Sequence, residues 1–71
     1  MVSIVDRSGV EHFVNPEYVT AVESRVLKGF GPNDKKISYS EVWVTGHAGY
    51  GTFSISSDEN ARDLAVRFAN E

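Results

Sequence analysis

The stretch Ile37–Ile55, ISYSEVWVTGHAGYGTFSI, decides how this chain folds. It reads as a strand, a glycine-rich turn and a second strand. Successive side chains of a strand point to opposite sides, so Ile37, Tyr39 and Trp43 line one face of the first strand while Val42 and Val44 line the other. Both faces are apolar and both need cover. The turn sets which groups share a side. With two or four turn residues, Val42 and Val44 join Phe53 and Ile55, and Tyr39, Trp43 and Tyr50 gather opposite; with three, and Gly49 left-handed, Trp43 joins Phe53 and Ile55 instead. The even register is the expected one, because it makes a compact aliphatic face for a helix and an aromatic face beside Thr45, Thr52 and Ser54. Aromatic groups rimmed by hydroxyls read as a binding or oligomer surface rather than a core.

The helix for that aliphatic face follows at once. Ser56-Ser57-Asp58-Glu59 has the form of a capping box, which predicts a helix starting there, and Ala61, Leu64, Ala65 and Phe68 give it an apolar stripe. Asp58 and Glu59 suit its positive N-terminal end and Arg67 its C-terminal end. On the other side of the hairpin, Val2, Ile4 and Val5 form a short strand ended by Asp6-Arg7-Ser8-Gly9, a type I turn or bulged variant. Val10, His12 and Val14 then alternate with Glu11 and Phe13 as a half-exposed second strand, and His12 on the valine side reads as a packed or edge side chain, not a ligand. Asn15-Pro16 makes a corner, since proline lacks an amide donor and the asparagine can cap a single helical turn. Val19–Leu27 is a third strand, with Thr20, Val22, Ser24 and Val26 on one face. The expected fold is α+β, a single domain over residues 1–71: a curved antiparallel five-stranded meander sheet with one C-terminal helix packed on it.

Gly9, then Phe13-Val14-Asn15-Pro16, Tyr18-Val19 and Val22-Glu23, resembles the opening of the small FlbD-type flagellar and swarming motility proteins. Those chains share the strand, the asparagine–proline corner, the apolar pair and the next strand, and end in an acidic stretch leading into a helix, as Asp58-Glu59 through Leu64 does here. The present chain departs from them in its longer Lys28–Lys36 loop and its Gly46–Gly51 turn. In style it is also similar to small accessory proteins encoded by phages. Neither likeness supplies a catalytic residue.

A chain of 71 residues buries roughly 60% of the surface its unfolded form exposes, so its core is small. Disulfides and cysteine-ligated zinc are excluded by the absence of cysteine. Self-association is the remaining common support for so small a core, which leads us to expect a homo-oligomer. The lack of cysteine and of a long apolar run after Met1 leads to a cytoplasmic expectation, in the host cytoplasm for a phage protein, with no membrane segment. The net charge of −3 makes nucleic acid an unlikely partner, but Arg25, Lys28, Lys35 and Lys36 against Asp34 give +3 around one loop and leave −6 elsewhere. Phe30 within that loop either folds back on the sheet or forms an apolar tip for a partner.

His12 and His47 have no nucleophile motif or metal spacing around them, so no catalytic residue, metal or cofactor is assigned and the chain is not expected to be an enzyme. The glycines of Gly46–Gly51 fit a hairpin turn better than a phosphate loop, because a strand and not a helix follows. The expected function is non-catalytic protein binding, as a phage accessory protein or host-directed regulator. The alternative is a homo-oligomer that binds or sequesters a small anionic or nucleotide ligand between subunits. Tyr39, Trp43, His47, Tyr50, Arg25, Lys28 and Phe30 are the candidate ligand or partner contacts.

Overall fold

The computed structural model describes residues 1–29, 35–46 and 51–70. In chain order these form β1 (Val2–Val5), β2 (Glu11–Val14), a 3-10 turn (Pro16–Tyr18), β3 (Val19–Lys28), β4 (Lys36–Thr45), β5 (Thr52–Ser57) and α1 (Ala61–Ala69). The architecture is α+β with antiparallel strands, but the strands do not make one meander: β1 pairs β2, and β3, β4 and β5 form a separate sheet in that order.

The division falls at Asn15-Pro16. Pro16 has no amide to give a ladder. Asn15 Oδ1 accepts from the Glu17 amide at 3.0 Å, and the Asn15 carbonyl accepts from the Tyr18 amide at 3.0 Å. These bonds wind Pro16–Tyr18 into a turn of 3-10 helix, after which β3 pairs with β4 and not with β2. The first hairpin instead meets the far edge of the larger sheet. The Arg7 amide donates to the Ser56 carbonyl at 3.0 Å, and Ser57 Oγ donates to the Val5 carbonyl at 2.7 Å.

The register of β4 on β5 is the even one: Val42 faces Ile55, Val44 faces Phe53 and Thr45 faces Thr52. Residues 47–50 of the connection lie outside the described residues. The aliphatic face so formed closes one core, in which Ile4, Val14, Val42, Val44, Ile55 and Leu64 are buried and Val19, Val22 and Phe68 pack at the margin. The β1–β2 hairpin and α1 thus form a second layer over one side of the three-stranded sheet.

The helix begins later than the capping box predicts. Ser56 and Ser57 still belong to β5, and the N-cap is Asn60, whose side chain accepts from the Arg62 and Asp63 amides. Ser56, the expected cap, does not serve because it is held in the ladder opposite Glu41 with its carbonyl accepting from the Arg7 amide. Ser57 beside it is buried opposite Ser40, with its hydroxyl donating to the Val5 carbonyl and accepting from the Glu59 amide. Nor does Glu59 reach back along its own segment. Its carboxylate receives Arg67 at 2.7 Å and the Val5 amide at 3.2 Å, joining the helix to β1. Of the predicted stripe, Leu64 is buried, Ala61 and Phe68 are half-buried, and Ala65 is exposed.

Candidate functional site

Opposed residues of an antiparallel pair share a face, so the registers place Ala21, Glu23, Arg25 and Leu27 of β3 beside Ile37, Tyr39, Glu41 and Trp43 of β4 on the outer side of the sheet. Tyr39, Trp43 and Arg25, three of the candidate residues, are therefore brought together. Their polar groups are already engaged. The Trp43 indole donates to Glu23, and Arg25 spans Glu23 at 2.9 Å and Glu41 at 3.2 Å. The Arg7 guanidinium stands 5.0 Å from the Tyr39 ring centre and pairs with Asp58 at 3.1 Å. A cation over a tyrosine ring and a carboxylate on an indole leave both aromatics half-buried. Around Tyr39 and Trp43 the outer face is covered by the chain's own charged side chains, while Leu27 and Ile37 stay exposed.

That arrangement bears directly on anion binding. Arg25 lies against two carboxylates, which makes it a poor receptor for a third negative group. Lys28, at the end of β3, is exposed and lies opposite Lys36 of β4. Phe30, His47 and Tyr50 lie outside the described residues. Among the described residues, no group of three or more histidines, cysteines and carboxylates is placed to hold a metal ion.

His12 forms a compact contact of its own. Its Nε2 lies 2.7 Å from Asp6 Oδ2, while Asp6 Oδ1 accepts from the Ser8 and Val10 amides at 2.8 and 2.9 Å. The hydrogen bond with His12, followed by that with the Val10 amide, holds the Asp6 carboxyl below its ordinary value. Gly9 completes the turn with a φ of 88°, a conformation suited to glycine. Asp6 thus organises the β1–β2 turn, and a cleft of about 260 Å³ beside it is lined by Arg7, His12, Phe53 and Ser56.

The surface that the candidate set missed lies at the end of the core near the 3-10 turn. Met1, Phe13, Tyr18 and Phe53 surround an apolar groove of about 300 Å³ whose floor includes Val14 and Val44. Met1 is 73% exposed, Phe13 65% and Phe53 47%. Phe13 was legible as the outward member of β2, since it alternates with His12 and Val14. Phe53 shares the core face with Val44 and Ile55 yet overhangs its rim, which alternation along a strand does not reveal. Glu23, Glu41 and Arg7, the cover of the aromatic face, were also missed; for Glu23 and Glu41 the signal was their parity with Arg25 and Trp43. Compared with protein-family models, curated proteins and solved structures, the chain matches none.

Proposed function

We propose that this chain is a non-catalytic binding protein that acts by docking another protein in the groove between Phe13 and Phe53. One observation carries the proposal: large apolar side chains gather around a concave apolar surface next to the core, where an aromatic or aliphatic anchor from a partner would lose water. Burial of such an anchor provides affinity without any reacting group. A small accessory regulator, of the kind suggested by the FlbD-type and phage-protein likenesses, is the class of protein that such a surface serves.

The test places a photo-crosslinking phenylalanine analogue at position 13 and irradiates the protein in an extract of its source cells. A discrete cross-linked protein is expected, identified by mass spectrometry and lost when Phe53→Ser is added. Cross-linking that is absent, or indifferent to Phe53→Ser in a folded variant, would contradict docking in the groove.

A further inference from the structure

We infer that β3 is a self-pairing edge, through which two copies of the chain join their three-stranded sheets into one continuous six-stranded sheet. β3 is the outer strand of its sheet and is ten residues long. Alternate amides and carbonyls of an edge strand point away from its one neighbour and form a template for another strand. Ala21, Ser24, Arg25, Val26, Leu27 and Lys28 are all exposed. Val26 is 57% exposed and Leu27 49% exposed, although both sit in a regular ladder with β4.

The sequence of β3, VTAVESRVLK, identifies the partner as a second β3. Two copies related by a twofold axis perpendicular to the sheet run antiparallel and keep their inner and outer faces, so only registers centred on a residue are possible. Centring on Ser24 sets Glu23 opposite the second copy's Arg25, Val22 opposite its Val26 and Ala21 opposite its Leu27, up to the irregularity of β3 between Val19 and Ala21. Both charges on the outer face of β3 then meet their opposites, and every exposed apolar residue of β3 meets another apolar residue. Centring on Glu23 or Arg25 sets like charges against each other, and centring on Val22 or Val26 brings neither charge pair together. The cluster on the outer face adds a reason for the Ser24 register. Within one copy a single guanidinium, Arg25, serves both Glu23 and Glu41, and the second copy's Arg25 would supply Glu23 with a cation of its own. On the inner face, Val22 lies at the margin of the core, so pairing with the second copy's Val26 would extend that core across the axis. The contact does not involve the Phe13–Phe53 groove and stands or falls separately from docking there.

Charge reversal gives a test with an internal rescue. Glu23→Arg alone would set arginine against arginine at two places in the dimer, and Arg25→Glu alone would set glutamate against glutamate. A mixture of the two variants would restore both opposite pairs. Sedimentation velocity over a concentration series is expected to show a wild-type dimer, each variant weakened about tenfold or more, and a heterodimer in the mixture, with circular dichroism confirming that both variants fold. Ser24→Cys supplies a second measurement, because position 24 lies on the axis and the chain has no other cysteine. Mild oxidation should link Ser24→Cys into a covalent dimer, whereas Ser8→Cys, on the β1–β2 turn, should form no covalent link. A wild type that remains monomeric at all concentrations, a dimer unaffected by both reversals, or equal cross-linking at positions 8 and 24 would each overturn the inference. Phe53→Ser, which disrupts the groove, should leave the dimer unchanged.

Discussion

Around Val22 and Val42 the β3–β4 ladder lies under α1 and the first hairpin, and Val42 is fully buried. Toward Val26 and Ser38 the same inner face of the ladder continues in the same register, but there Val26 is 57% exposed, and Leu27 and Ile37 on the outer face at that end are exposed as well. Backbone pairing is alike in the two halves, so the difference lies in what covers them. Strand formation in the outer half therefore does not depend on burial within this one copy. One regular ladder thus serves as two objects, a core floor at one end and a presented surface at the other.

The largest expected effect tests the covered half. Leu64 is fully buried among Ile4, Val42 and Ile55, and Leu64→Ala should destabilise the monomer by about 2–5 kcal/mol in urea titrations. A loss below about 1 kcal/mol would mean that the helix contributes little to that half. Ser57 sits where β5 meets β1 and the α1 approach, and its hydroxyl both accepts from the Glu59 amide and donates to the Val5 carbonyl. Removing it leaves buried groups unpaired, so Ser57→Ala should cost about 1–3 kcal/mol by the same titration.

Acid sharpens the contrast between the halves. The hydrogen bond from Arg67 holds the Glu59 carboxyl below its ordinary value of 4.5, and the Glu59 carboxylate also receives the Val5 amide. A depressed folded value contributes stability that is complete above the unfolded value and lost as pH falls through the folded one. Stability should therefore decline below about pH 4.5, and Glu59→Gln should flatten part of that decline. The smallest effect belongs to the exposed half. In dilute monomer, Leu27→Gln should change stability by no more than about 0.5 kcal/mol, even though Leu27 lies in the same ladder as Val22.

Much of this division was legible in the sequence. Alternation in Val42-Trp43-Val44 and the even register placed the aliphatic face correctly, and Leu64 was identified as its cover. The break into two sheets was less so. Asn15-Pro16 announced a corner, but whether a strand resumes beside its predecessor or beyond it depends on the direction the 3-10 turn gives the chain, which is a three-dimensional outcome of two hydrogen bonds. The helix start failed for a related reason: Ser56 has the right chemistry for a cap, but pairing with Glu41 of β4 and with the Arg7 amide keeps it in strand β5, and Asn60 takes the role. At the candidate site, parity placed Tyr39 and Trp43 on one face and the β3–β4 register sets Arg25 beside them, yet alternation carried no information on Arg7, which reaches over to Tyr39 from the β1–β2 turn. The Phe13–Phe53 groove joins residues 40 positions apart and from different sheets, so no local pattern encodes it.

The difference between the two halves is tested most directly by amide hydrogen exchange followed residue by residue at low and high protein concentration. Exchange reports local opening, and pairing with a second copy adds protection only where strands meet. The predicted result is that amides of Val42, Val44 and Ile55 exchange slowly at every concentration, while outward-facing amides of Val22–Lys28 gain protection as concentration rises. Protection of β3 that is uniform along its length and independent of concentration would contradict the account.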